Sequence, residues 1–285
     1  MASGRRSALY PGFGTTLHAR SSLIDAGFLV AVPLALVAVF TLPTGTREEY
    51  VFRYADPTLS AMYASHFVHK TPTHLAANLA GYAAVAPTAY LCCLLADRRR
   101  LFRVAFVAYL LVLPFALSAL NLLYFQRAVA YGFSGVLLGF FGLLTLALYL
   151  YAADRAGAAD GGRHAPVVFF VGIATICVAV APATRATLGV AAAALLCCGL
   201  YARHLPALLS AADRLRIGFA GTPPGYLELG SLGTLLFFGY PFVAFPSDPV
   251  QGGAIVNLYT HLLGFALGFI AAYTYQVLPM TGRRR

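Results

Sequence analysis

The sequence predicts an all-α, polytopic helical membrane protein, and three observations carry that prediction. Its 285 residues are 60% hydrophobic and only 11% charged, whereas a soluble domain carries about 25% charged residues. Mean hydropathy is +0.75. Apolar runs of bilayer-crossing length, about 20 residues each, recur along the chain, and the alternating pattern of a membrane β-barrel is missing.

Eight candidate spans follow, at 22–43, 73–96, 102–125, 133–152, 166–183, 186–202, 229–246 and 253–277. The first comes after a basic stretch with no convincing cleavage site, so it reads as a retained span rather than a removed signal. The second and third are divided by Arg98, Arg99 and Arg100. The fifth and sixth are divided only by Thr184 and Arg185, the mark of a tight helical hairpin. Residues 1–285 form one membrane domain, with a long outer loop at 44–72 and a cytoplasmic loop at 204–228. Leu205 to Ile217 in that second loop has the pattern of an amphipathic surface helix, broken by Gly221-Thr-Pro-Pro-Gly225.

Charge orients the spans. With a cytoplasmic N-terminus, 15 of the 20 Lys and Arg fall in inner segments and only Arg47, Arg53, Lys70, Arg127 and Arg185 in outer ones. Basic residues collect on the cytoplasmic side, so both termini are expected there. The +10 formal charge is thereby used by the lipid bilayer, and no nucleic-acid partner is implied. All five cysteines lie within apolar runs, which suits small buried hydrophobes rather than a disulfide framework.

Three short stretches carry polar groups where polar groups are costly. Phe67-Val-His69 precedes His74-x-x-x-Asn78, whose two polar residues share one helix face. His69 stands just before that helix, as a cap or a solvated residue. Gly132-Phe133-Ser134-Gly135 opens the fourth span, where free backbone N–H groups and the positive end of the helix dipole face out. Gly135, Gly139 and Gly142 give that helix a smooth face for a close neighbour. His261-x-x-Gly264-x-x-x-Gly268 places a histidine above a glycine groove. Counted from residue 253, His261 lies roughly 12 Å into its helix at 1.5 Å per residue, with Asn257 one turn away as a structural partner. Each stretch alone also fits interhelical hydrogen bonding, an N-cap or glycine packing. In the eight-span topology, however, His74, Ser134 and His261 all lie in the outer half of the membrane.

Taken in order, these residues resemble the rhomboid family of intramembrane serine proteases. The resemblance covers roughly residues 22–152 and 253–277. It implies a rhomboid-like helical bundle, a six-helix core plus two extra helices, since three spans rather than one separate the serine and histidine helices. It also implies Ser134 as nucleophile and His261 as general base, with His74, Asn78 and the Ser134 N–H stabilising the oxyanion. His69, Gly132, Gly135, Gly264 and Gly268 would support the site structurally. The implied substrates are single-span membrane proteins cut near the outer face. Where many members stack an aromatic on the catalytic histidine, this chain has Leu138, leaving Phe140 or Phe141 as substitutes, and Arg53 stands in loosely for a Trp-Arg loop feature. No metal or cofactor is expected: His-Glu-x-x-His is absent and every Asp and Glu lies in a loop or at a predicted helix end. Two other classes compete. One is a rhomboid-like protein that binds membrane helices without cutting. The other is a transporter or channel, which would place ionisable residues at mid-membrane.

Overall fold

A computed structural model describes residues 12–158, 161–180, 184–201, 222–251 and 254–278. The helices are α1 (Phe13–Arg20), α2 (Leu23–Phe40), α3 (Thr44–Glu49), α4 (Leu59–Ala64), α5 (Pro72–Leu95), α6 (Arg99–Leu111), α7 (Leu113–Asn121) and α8 (Ser134–Arg155). They continue with α9 (Ala165–Ala179), α10 (Arg185–Tyr201), α11 (Tyr226–Ala244) and α12 (Leu258–Val277). Two short antiparallel pairs interrupt the helices: β1 (Phe52–Arg53) with β2 (Val129–Ala130), and β3 (Val250–Gln251) with β4 (Ala254–Ile255). Leu205 to Ile217 lies outside the described residues, and α11 begins at Tyr226, inside the predicted loop.

A helix occupies each of the eight predicted stretches. Four of them, α2, α5, α8 and α11, are long and apolar enough to cross a membrane, and α6 with α7 makes a fifth as a bent pair. The stretch 102–125 is therefore not one straight span. It bends by 46° between α6 and α7, because Pro114 in the first turn of α7 offers no N–H to the preceding turn. The apolar helices α9 and α10, 15 and 17 residues long, are shorter.

α8 is the centre of the bundle. Of its apolar window 78% is buried, against 28% for α11 and 17% for α2. Phe133, Phe140, Phe141 and Tyr151 are wholly enclosed there. α5 covers one side, with the Tyr82 ring edge-on to Phe133 and Phe140. α12 covers another at backbone contact. Tyr109 of α6 donates to the Gly268 carbonyl at 2.6 Å and so ties a third helix to that pair. α9 reaches the bundle through Phe169, stacked on Phe265 and Phe269, and Cys198 of α10 touches the Val167 carbonyl of α9.

The two ends of the bundle differ. At one end Asp25, fully buried, accepts from Arg103 at 2.5 Å and from the Tyr90 hydroxyl at 3.1 Å. Arg99 there donates to the Arg20 carbonyl, and the Arg155 guanidinium lies over the Tyr226 ring. The opposite end holds the first turns of α5, α8 and α12 and the last turn of α11. There the 44–72 stretch folds down as α3, β1, α4 and a 3₁₀ turn. It is stitched to the chain just ahead of α8 by the register Phe52↔Ala130 and Arg53↔Val129, and by Gly132 N–H donating to the Ser65 carbonyl at 2.9 Å.

Candidate active site

Thr71 starts α5. Its Oγ1 accepts from the His74 N–H at 3.2 Å, and Pro72 follows at a position that needs no donor. His69 therefore does not cap, nor is it solvated. It is fully buried, its Nδ1 at 3.2 Å from the Phe67 carbonyl, while Arg47 donates to its own carbonyl at 2.5 Å. Its ring packs against His74 at a centroid distance of 4.9 Å. Burial, reinforced by the nearby His74 and opposed by the Phe67 contact, pushes the His69 imidazole down to about 4.

His74 lies over the turn that delivers Ser134. Gly132 has φ +106°, and a Cβ built there would sit 2.5 Å from His74 Cε1 and 2.8 Å from its Nε2. Only glycine accepts both that backbone and that ring. One turn below, buried Asn78 donates through Nδ2 to the His74 carbonyl at 3.0 Å, and its Oδ1 has no hydrogen-bond partner among the described residues.

Ser134 is the first residue of α8, and His261 lies in the first turn of α12, not 12 Å along it. The helix starts at Leu258 because Asn257 caps it, accepting from the Thr260 N–H at 3.0 Å. Asn257 meets His261 through the backbone, its carbonyl accepting from the His261 N–H at 3.2 Å; its side-chain amide donates to Asn121 at 2.9 Å, and Thr260 joins them at 3.0 Å. Ser134 Oγ and His261 Nε2 are 2.8 Å apart. His261 Nδ1 is 2.7 Å from the Ala244 carbonyl of α11. The aromatic against the imidazole is neither Phe140 nor Phe141 but Phe245, edge-on at 5.8 Å.

Glycine makes this approach possible. A Cβ on Gly264 would collide with the Gly135 carbonyl oxygen, and one on Gly268 with the Gly139 backbone. A Cβ on Gly142 would meet the backbone of Phe265 and Phe269. The stripe Gly135-Gly139-Gly142 thus lies directly on Gly264 and Gly268, starting at the residue after the serine.

The fold therefore brings Ser134 and His261 into hydrogen-bond contact, sets His74 over the Gly132 turn ahead of Ser134 with Asn78 on its carbonyl, and packs buried His69 against His74. Residues 244 and 245 carried no sign of the site in their side-chain types. The proline at 246, which ends α11 beside the histidine, is the one local signal that could have drawn attention to them. No protein-family model, curated protein or solved structure matches this chain.

Proposed function

We propose that this protein is a rhomboid-like intramembrane serine endopeptidase that cuts single-span membrane proteins by a Ser134–His261 dyad. The observation that carries the reading is the 2.8 Å contact between Ser134 Oγ and His261 Nε2, held on two helices in bare backbone contact. A hydroxyl at that distance from an imidazole nitrogen can pass it a proton while attacking a carbonyl carbon.

The steps follow from the groups present. The Ser134 proton moves to His261 Nε2 as Oγ bonds to the scissile carbonyl, and the carbonyl oxygen becomes an oxyanion. Donors for it are the Ser134 N–H, which starts a helix and has no intrahelical partner, the His74 ring, and the Asn78 N–H not used by the His74 carbonyl. His261 then gives its proton to the leaving amine. Water, deprotonated by the same nitrogen, hydrolyses the acyl-serine. Under this reading both termini and the Asp25–Arg103 end lie on the cytoplasmic side, and the dyad opens toward the outer face.

The test is cleavage of a panel of single-span reporters by reconstituted protein, with Ser134→Ala and His261→Ala as controls and an active-serine probe alongside. We expect both substitutions to abolish cleavage while leaving the fold intact. A wild-type chain that cuts no reporter and whose Ser134 takes up no probe would overturn the protease reading in favour of non-cutting helix binding.

A further inference from the structure

The dyad lacks a carboxylate, yet His261 is not left to orient itself. Its Nδ1 lies 2.7 Å from the carbonyl of Ala244, the last residue of α11. The sequence fixes that carbonyl in place. Pro246 biases the residue before it away from helical angles, and Phe245 adopts φ −123° and ψ 68°, so the helix stops at Ala244. The Phe245 N–H turns back to the Pro241 carbonyl at 2.8 Å. Carbonyls of the last helical turn have no following N–H to accept from and carry the negative end of the helix dipole. His261 and Ala244 are each 7% exposed and Phe245 is 1% exposed, so water is largely kept from the contact.

A carbonyl oxygen can only accept. The proton of neutral His261 therefore belongs on Nδ1, which leaves the Nε2 lone pair facing the Ser134 hydroxyl. We infer that the C-terminal end of α11 does the work of a third triad member: the Ala244 carbonyl sets the His261 tautomer and steadies the imidazolium formed during the reaction. No proton passes to the carbonyl. The Ser134 proton goes to Nε2, the Nδ1 proton stays on His261, and the negative helix end faces the resulting cation. Ala244 is a positioning residue that acts through His261. The catalytic half of this inference rests on the protease reading; the tautomer half does not.

Two backbone esters in the full-length chain separate the possibilities. The α-hydroxy analogue of phenylalanine at 245 turns the Ala244 carbonyl into an ester, a weaker acceptor, and removes one helix-terminal N–H. The α-hydroxy analogue of alanine at 244 also removes one helical N–H but keeps the Ala244 carbonyl as an amide. We expect the first to lower kcat about five- to tenfold, the effect of one hydrogen bond, with KM unchanged, and the second to leave kcat near wild type. Equal losses from both esters would overturn the inference. Independently of cleavage, ¹⁵N NMR of His261 in full-length Ser134→Ala should find the proton on Nδ1, and this preference should weaken in the 245 ester. A proton on Nε2 in Ser134→Ala would refute the assignment. If no reporter is cut and Ser134 takes up no probe but NMR shows the Nδ1 proton, the protease reading fails and the orienting contact stands.

Discussion

Adding one methyl group at Gly264 tests whether the glycine stripe is what brings the two reacting side chains together. A Cβ there would overlap the Gly135 carbonyl oxygen and lie 3.0 Å from the Gly135 carbonyl carbon and 3.2 Å from Leu138 Cβ. The first two atoms are backbone and cannot rotate away. Ordinary carbon contacts lie at about 3.5–4.0 Å, so α12 must retreat from α8 by roughly 1 Å. His261 is three residues ahead of Gly264 and Ser134 directly precedes Gly135, so most of that displacement reaches the 2.8 Å hydrogen bond. At about 3.8 Å that bond no longer exists, and a misplacement of this size costs about 10²-fold in rate. Overpacking should also destabilise the fold by about 1–3 kcal/mol. Gly239→Ala is the control, because a Cβ there meets nothing within 4 Å. Reporter cleavage and thermal unfolding would be measured on both variants in one detergent. Gly264→Ala cutting at the wild-type rate would show that the glycine contact does not set the dyad distance.

Two further predictions follow from the neighbouring groups. Gly132→Ala must give up its φ of +106° or push the His74 ring aside; we expect kcat to fall about 10²-fold, as when an oxyanion donor is lost, and unchanged kcat would remove His74 from that role. His66 and His69 both lie outside the membrane-crossing helices, and burial holds each down to about 4 from 6.5, with carbonyl contacts to Pro114 and Phe67 opposing it. Above pH 6.5 neither contributes a pH dependence. Between pH 6.5 and 4 the unfolded chain binds protons that the folded chain refuses, so stability should fall with pH through that window, by on the order of 1 kcal/mol per pH unit for each histidine, and each contribution should level off below 4. His69→Gln should make that slope shallower in unfolding midpoints measured from pH 7.5 to 4.5, and a flat profile in wild type would contradict the burial argument.

Much of the site was legible because its signals are local. Ser134 between two glycines, and His261 ahead of Gly264 and Gly268, follow helical spacing, and spacing survives folding. Where the helices begin was less legible. Asn257 looks like a buried partner for His261 within a run starting at 253, but an Asn accepts equally well from an N–H three residues on, and that cap starts α12 five residues later. His69 reads as a cap or a solvated residue because it precedes the helix, whereas Thr71 and Pro72 form the stronger start and leave His69 to be buried. The bend at Val112 needed Pro114 to be weighed against an otherwise continuous apolar run. Beyond the helix stop marked by Pro246, the Ala244 contact left no sign in the sequence, since a backbone carbonyl has no letter there and its partner is 17 residues away across a helix break.

The pair of buried Asp25 with half-buried Arg103 bears on how the bundle is assembled. Its partners are 78 residues apart, so a ribosome working at about 5–20 residues per second makes the arginine roughly 4–16 s after the aspartate. Under the membrane-spanning reading, α2 is inserted first and must wait in lipid with an unmatched carboxylate. Asp25 sits in the first turn of its helix, close to the headgroups, where waiting costs least. α2 is the least enclosed of the four long apolar helices and gains its partners only when Arg103 and Tyr90 are both in place. The first of these helices to be made is therefore among the later ones to dock.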